Sequence, residues 1–509
     1  MEPALNSDDI QAHIYPGFAS QLSVVIGLRL DEPIAGRHAM LAILPSITPM
    51  DLGHAEKADR RAALAAVQPL PDQSATFVSL SFSASALRVW NIDLSNFDSS
   101  FTNGMQNDAR ELRDPVDATG IPSDWQVGLD GPTRLDALLV AGHSDKEALS
   151  TDVETWIKML SPAWSVVLKE YGGRRDGDKE LFGFHDGVSQ PALRGKLRDG
   201  NDVSRRVIVP EDPRSTFFAK PGQRLIWPGQ FIFGYPVETS APLTMGEVQS
   251  APLPWMHNGS YLVFRRLVQK TELFEAAVAS LENDLKQQGE VVPSGWTAAR
   301  MVGRWPDGTP LSAAPAAADL ELSADELRLN NFQYARGFLP TPVDRQGQPQ
   351  VLPAVAGDLL GRNCPFAAHI RKVNPRDGSS EIGPERHPSK QILRRGISFG
   401  PEFSGNPAAD GGLLFLSFQT SINDQFKFLQ INWANSPQRP TSNGLDPIIG
   451  QDGTLETSRQ LIFDAPSGRQ VSCSFNGRWV IPTGGGYFVT PGISGLRTLL
   501  DVQKTGLEQ

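Results

Sequence analysis

The chain has 509 residues, 40% of them hydrophobic and 20% charged, which is near the globular average and gives no reason to expect a long disordered part. A net charge of -10 argues against a polyanion as the main partner, because nucleic-acid affinity rests on clustered Lys and Arg neutralising phosphates. Only two cysteines are present, Cys364 and Cys473, so neither a disulfide framework nor a multi-cysteine zinc site can be assembled.

At the N-terminus, MEPALNSDDIQAHIYPGF lacks the basic region and apolar core of a secretory leader. Nowhere does the chain approach the ~20 apolar residues of a membrane span. These features predict a cytoplasmic protein with no membrane partner, although a chain whose leader had been removed would read the same. Length alone suggests two to four domains, at a rough one per ~150 residues.

Taken in order, Leu22–Leu30, Thr76–Phe82 and Leu135–Ala141 are β-like runs, and Asp152–Leu160 has Val153, Trp156, Ile157 and Leu160 on one helical face. Trp164–Glu170 returns to strand. Pro210–Pro236 is rich in Pro and Gly, the composition of a connecting segment, and places a domain boundary near residue 230. The second half repeats the scheme. Ser260–Val268 reads as a strand, followed by a helix from about Glu272 to Gln287 with Leu273, Phe274, Ala277, Leu281 and Leu285 at helical spacing and Thr271 as its cap. Gly412–Gln419 is a buried strand and Ile422–Trp433 an amphipathic helix. Residues 306–318 and 340–356 read as loops. Each half is thus expected to be an α+β unit, an antiparallel sheet with helices on one face. The units divide as 1–230 and 231–509.

Three segments carry chemistry. In LFGFHDGVSQP, residues 181–191, Gly183 and Gly187 bracket Asp186 and allow close approach at a cavity wall, although such a string is more often an ordinary turn. His185 beside it reads as structural. In CPFAAHIRKVNPR, residues 364–376, His369 is followed by Arg371, Lys372 and Arg376, an imidazole donor with trailing cations. In ILRRGISFGPE, residues 392–402, paired arginines precede a glycine. Each string alone has a plain structural reading as a turn.

In order, GFHDGVSQP, CPFAAHIRKVNPR, LRRGISFG and GLLFLSFQ resemble the dye-decolourising peroxidase family. DIQAHIYPGF at 9–18 and GGGYFVTPGISGLRTLL at 484–500 are similar to its two ends, so the likeness spans nearly the whole chain. The resemblance implies two ferredoxin-like domains with haem mainly in the C-terminal half. It implies haem b, held without covalent attachment in a chain with no CxxCH motif. By motif, His369 is the iron ligand, Asp186 the distal acid–base residue and Arg394 the distal arginine in preference to Arg395. Leu413 and Phe415 lie over the distal haem face, and Arg376, less strongly Arg371, meets a propionate. Asp424 is the expected acceptor of the other imidazole N–H. The stretch between His369 and Arg394 is longer than the family pattern suggests.

The implied activity is reduction of hydrogen peroxide and oxidation of dyes, phenolics or other aromatic donors through a high-valent state of the iron, by a monomer or homodimer. The same motifs leave open a haem-processing protein that removes iron. Intact Asp186 and Arg394 argue against a haem carrier without turnover, because a carrier has no use for a distal acid–base pair.

Overall fold

The structure is a computed structural model. It describes residues 2–239, 244–335, 342–343, 348–353, 355–377, 387–442 and 444–501. In the first half, β1 (Leu22–Leu30), β2 (Phe77–Ser83), β3 (Ala137–His143) and β4 (Trp164–Gly173) pair antiparallel in the order β4-β1-β3-β2. A small sheet joins β5 (Ala192–Leu193), ahead of the connecting segment, to β6 (Phe218–Lys220) and β7 (Gln223–Ile226) within it. The second half contributes β8 (Ser260–Gln269), β9 (Leu393–Arg394), β10 (Ile397–Phe399) and β11 (Gly412–Gln419). A hairpin of β12 (Ser458–Asp464) and β13 (Gln470–Asn476) precedes β14 (Val480–Thr490).

Strand β14 joins β8, β8 joins β11, and β9 and β10 pair successively along β11. Both halves therefore run β-α-β-β-α-β with the same strand order, the ferredoxin-like arrangement. The two sheets are continuous with each other: β2 pairs with β14 and β4 with β10, which closes a ring. The fold is α+β. Sequence patterning does not reveal the closure, because it depends on pairings such as Phe399 with Gly172, 227 positions apart (399 minus 172).

Period-2 alternation explains why these strands read as almost uninterrupted apolar runs: both faces are covered. On β1, Val24, Ile26 and Leu28 pack under the helices of the first half, whereas Val25 joins Leu138, Val140, Leu262, Phe264, Leu414, Leu416, Phe418 and Phe488 in a core shared by both halves. Arg266 of β8 crosses this shared interior to Glu170 of β4 at 2.8 Å, a buried ion pair between the two sheets. The opposite face of the second sheet, with Arg265, Leu267 and Gln269 of β8 and Leu413 and Phe415 of β11, opens on a cavity.

Most predicted elements appear with shifted ends. The helix predicted at 152–160 begins six residues earlier, as Lys146–Leu160, because Asp145 accepts from the Ala148 N–H and caps it. Thr271 does not cap its helix: it is the first helical residue, and Lys270 stands at the cap position with no side-chain capping bond. Leu273, expected on the buried face, is exposed, whereas Phe274, Leu281 and Leu285 are buried. Ile422–Ala434 is a π-helix, wider than the α-helix that periodicity suggests. Much of the 340–356 loop, and residues 378–386 of the long stretch after His369, lie outside the described residues. Among the described residues no helix is long and apolar enough to cross a membrane.

Candidate active site

The cavity has a volume of about 720 Å³, within the range that encloses small molecules and cofactors. His369, Asp186, Arg394, Leu413, Phe415 and Arg376 all line it.

His369 opens the short helix His369–Val373. Its Nδ1 lies 2.8 Å from Asp446 Oδ2. Asp446 is fully buried, and its Oδ1 accepts the N–H groups of Ile448 (2.8 Å) and Ile449 (3.0 Å). Burial pushes this carboxyl up, but the imidazole and the two amides outweigh it and hold it below the usual carboxylate range. With Nδ1 committed as donor to a carboxylate, the remaining ring nitrogen is left to face the cavity as a lone-pair donor.

Asp446 therefore corrects the expectation that Asp424 receives the imidazole N–H. Asp424 sits in the first turn of Ile422–Ala434 with its side chain 77% exposed, 3.7 Å from Lys390. It belongs to the capped helix end, where Ser421 Oγ accepts its backbone N–H. The signal for Asp446 was weak: an Asp-Pro turn 77 residues beyond the histidine, with no spacing that links them.

Two of the three cations after His369 also prove structural. Arg371 is a correction: it does not line the cavity. Two residues along the helix from His369, it points into the core, pairs with Asp358 at 2.9 Å and lies 4.1 Å over the Tyr334 ring. Lys372 donates to Gly444 O at 2.8 Å, tying the His369 helix to the loop that carries Asp446. Arg376 does reach the cavity, with its guanidinium 3.7 Å over Phe332 and Nη1 donating to the carbonyls of Phe332 and Asn330. Gly222 makes room for it, since a Cβ there would sit 1.6 Å from Asn330 O and 3.0 Å from Arg376 Nη1. Burial lowers the affinity of Arg376 for its proton. Arg304, which sequence reading missed, lines the same wall. It donates to Gly308 O and Asn330 Oδ1, and burial pulls it down to about 9.

Arg394, which also lines the cavity, ends β9, and its Nη2 donates to Ser189 O at 2.7 Å while Nη1 stands 4.0 Å from Asp186 Oδ1. Both side chains are more than a third exposed, so the pair contributes little to stability and its charges remain available to a ligand. Arg395 faces the other way, donating to the carbonyls of His13, Ile14 and Arg394 from a half-buried position. Successive side chains of an extended segment point to opposite sides, which separates the two arginines of the pair. His185 lines the cavity beside Asp186, its backbone N–H bonded to Pro306 O at 3.1 Å.

This wall fits a haem. Among the described residues no group of three or more His, Cys, Asp and Glu side chains is placed to cage a metal ion. A single carboxylate-oriented imidazole suits an iron whose other ligands come from a macrocycle. Leu413, Phe415, Phe426, Ile448 and Ile449 offer apolar surface on which such a ring would rest, and Arg376 offers a cation that its carboxylates would meet.

Known proteins resemble the chain in sequence and in fold. The family model described as the DyP dimeric alpha+beta barrel domain matches residues 9–176. The chain is 30% identical over 461 residues to dye-decolorizing peroxidase msp1 of Mycetinis scorodonius, covering 84% of this chain and 77% of that one. A mutant of the dye-decolorizing peroxidase from Pleurotus ostreatus superposes with a TM-score of 0.76 at 26% identity, covering 98% of this chain and 100% of its own. A dye-decolorizing peroxidase in complex with 2,6-dimethoxyphenol gives 0.72 at 27% identity, with 97% and 100% covered. The chain belongs to the dye-decolorizing peroxidase family and is a haem-dependent oxidoreductase that acts on peroxide.

Proposed function

We propose that this chain binds haem b through His369, uses Asp186 and Arg394 to activate hydrogen peroxide, and oxidises phenolic and dye-like aromatic donors. The observation that carries the reading is one cavity lined both by a carboxylate-bound imidazole and by an acid beside a guanidinium. The phenolic donor class is supported by the structurally similar enzyme bound to 2,6-dimethoxyphenol. We also assign residues 1–230 and 231–509 as the two ferredoxin-like units, on the strand order that each repeats.

When bound, the haem supplies the iron on which peroxide is placed and the electrons that cleave its O–O bond. His369 holds that iron, and Asp446 fixes the imidazole tautomer and raises its basicity by accepting the Nδ1–H. The Asp186 carboxylate takes the proton from the inner peroxide oxygen and returns it to the outer one, so that water leaves instead of hydroxide. Arg394 stands beside Asp186 and stabilises negative charge developing on the outer oxygen, a preorganised role commonly worth about 3–4 kcal/mol. Leu413 and Phe415 keep water from the reacting oxygens, and Arg376 anchors a propionate.

The test is stopped-flow reaction of the haem-loaded protein with peroxide, for wild type, Asp186→Asn and Arg394→Leu. The reading requires the second-order rate constant to fall on the order of 100-fold or more in each variant. A wild-type rate in either variant would contradict it.

A further inference from the structure

Asp186 sits at the end of a turn whose geometry is set by another carboxylate. The chain doubles back between Glu180 and Phe184: Glu180 N–H donates to Phe184 O at 2.9 Å, and Gly183, at φ +86°, donates to Glu180 O at 2.9 Å. The Glu180 side chain closes this turn from within. Its Oε2 accepts the Phe182 N–H and its Oε1 the Phe184 N–H, both at 2.9 Å. Gln269 of β8 donates its side-chain N–H to Oε2 as well, so the same carboxylate ties the turn to the sheet that forms the cavity floor. Two residues on from Phe184, the Asp186 backbone N–H is anchored on Asp178 O at 2.9 Å. Phe182 stacks on Phe274 with centroids 4.4 Å apart and Phe184 is buried, so both amide neighbours are themselves fixed in the core.

We propose that Glu180 is a positioning residue for peroxide activation, holding through the Phe182 and Phe184 amides the turn that presents Asp186 to the cavity. This rests on the reading of Asp186 as the group that moves the peroxide proton. Glu180 itself lines the cavity, yet its oxygens are committed to the two amides and to Gln269, which makes it a holder of the turn and not a second acid. Burial pushes its carboxyl up, and the charge of Asp186 adds to the rise. A carboxylate is needed because both oxygens must accept. In Glu180→Gln one of the two amides faces an NH2 group, donor against donor.

The experiment compares wild type, Glu180→Gln and Asp186→Asn as full-length chains. Hydrogen exchange of segment 180–187 is measured without haem, and the peroxide and donor steps are measured with haem. In Glu180→Gln at least one of the Phe182 and Phe184 amides is expected to lose about 10-fold protection or more. The peroxide rate constant is expected to fall about 10- to 100-fold, the scale of a misplacement near 1 Å, while the donor step keeps its wild-type rate. Protection at the wild-type level, or lost protection with an unchanged peroxide rate beside a slow Asp186→Asn, overturns the proposal and leaves the Asp186 reading standing. A wild-type peroxide rate in Asp186→Asn overturns that reading itself, and the proposal with it. Should Glu180→Gln fail to fold, Glu180→Asp keeps both oxygens but withdraws them by about one bond length. A slower peroxide step with an unchanged donor step then supports the proposal, and an unchanged peroxide step overturns it.

Discussion

Replacing Asp446 with Asn preserves the size of the side chain that faces His369 but removes the charge that makes the imidazole a strong donor. Loss of such a supporting partner commonly weakens metal binding 10- to 100-fold. Haem titration of Asp446→Asn, followed by absorbance, is expected to show a loss in that range, whereas Asp424→Asn, whose side chain lies 77% exposed beside Lys390, is expected to bind as wild type. Equal affinities for the two variants would refute the assignment of Asp446. The arginines make a similar contrast. Arg371→Met is expected to destabilise the fold by about 3–5 kcal/mol, because it leaves the buried Asp358 carboxylate without its ion-pair partner, with no direct change at the cavity. Urea melts of the variant measure that loss. The motif around His369 was legible as a donor with cations, yet side-chain direction decides which cation reaches the ligand. Direction follows from helix phase over a five-residue segment, too short for periodicity to register.

At the scale of elements, β11 shows how one strand serves two purposes. Leu414, Leu416 and Phe418 face the core shared by the two sheets, while Leu413 and Phe415 face the cavity. Truncating Leu416 to Ala opens a void among fully buried neighbours and is expected to cost about 2–5 kcal/mol of stability. Leu413→Ala, at a surface with open space, is expected to cost less in melting temperature and to act on the peroxide step. Thermal melts beside stopped-flow rates separate the two, and identical melting losses would argue against the division of faces. The sequence was informative here because buried β-branched and aromatic runs announce strands, and LSVVIGLRL and GLLFLSFQ begin and end where β1 and β11 do. It was silent on the broader turn of Ile422–Ala434, since an apolar stripe looks alike at α and π spacing over three turns.

Ring closure is a property of the whole molecule. It joins residues 172–173 of the first half to 398–399 of the second and sets Arg266 against Glu170 inside, so each half completes the core of the other. Near the second half's edge, His13 stacks on Phe18 at 4.7 Å and meets the edge of Phe418 at 5.2 Å, with Arg395 close by. Burial first, and the charge of Arg395 second, hold its imidazole down at about 3. The native state therefore keeps His13 neutral while the unfolded chain takes up a proton below about pH 6.5. Stability from this group is present above pH 6.5 and is lost progressively as pH falls toward 3, amounting to about 2 kcal/mol at pH 5. Denaturant melts at pH 7 and pH 5 are expected to show this drop, and His13→Gln is expected to reduce it; a drop of equal size in the variant would place its origin elsewhere.

The most direct test of the central claim is an absorption spectrum of the haem-reconstituted protein before and after one equivalent of hydrogen peroxide, for wild type and His369→Ala. The wild type is expected to bind haem, change its Soret band on adding peroxide, and recover the starting spectrum when 2,6-dimethoxyphenol is supplied, with the ligand variant losing this cycle. Haem that binds but only bleaches with peroxide, or a His369→Ala protein that cycles as the wild type does, would contradict the account.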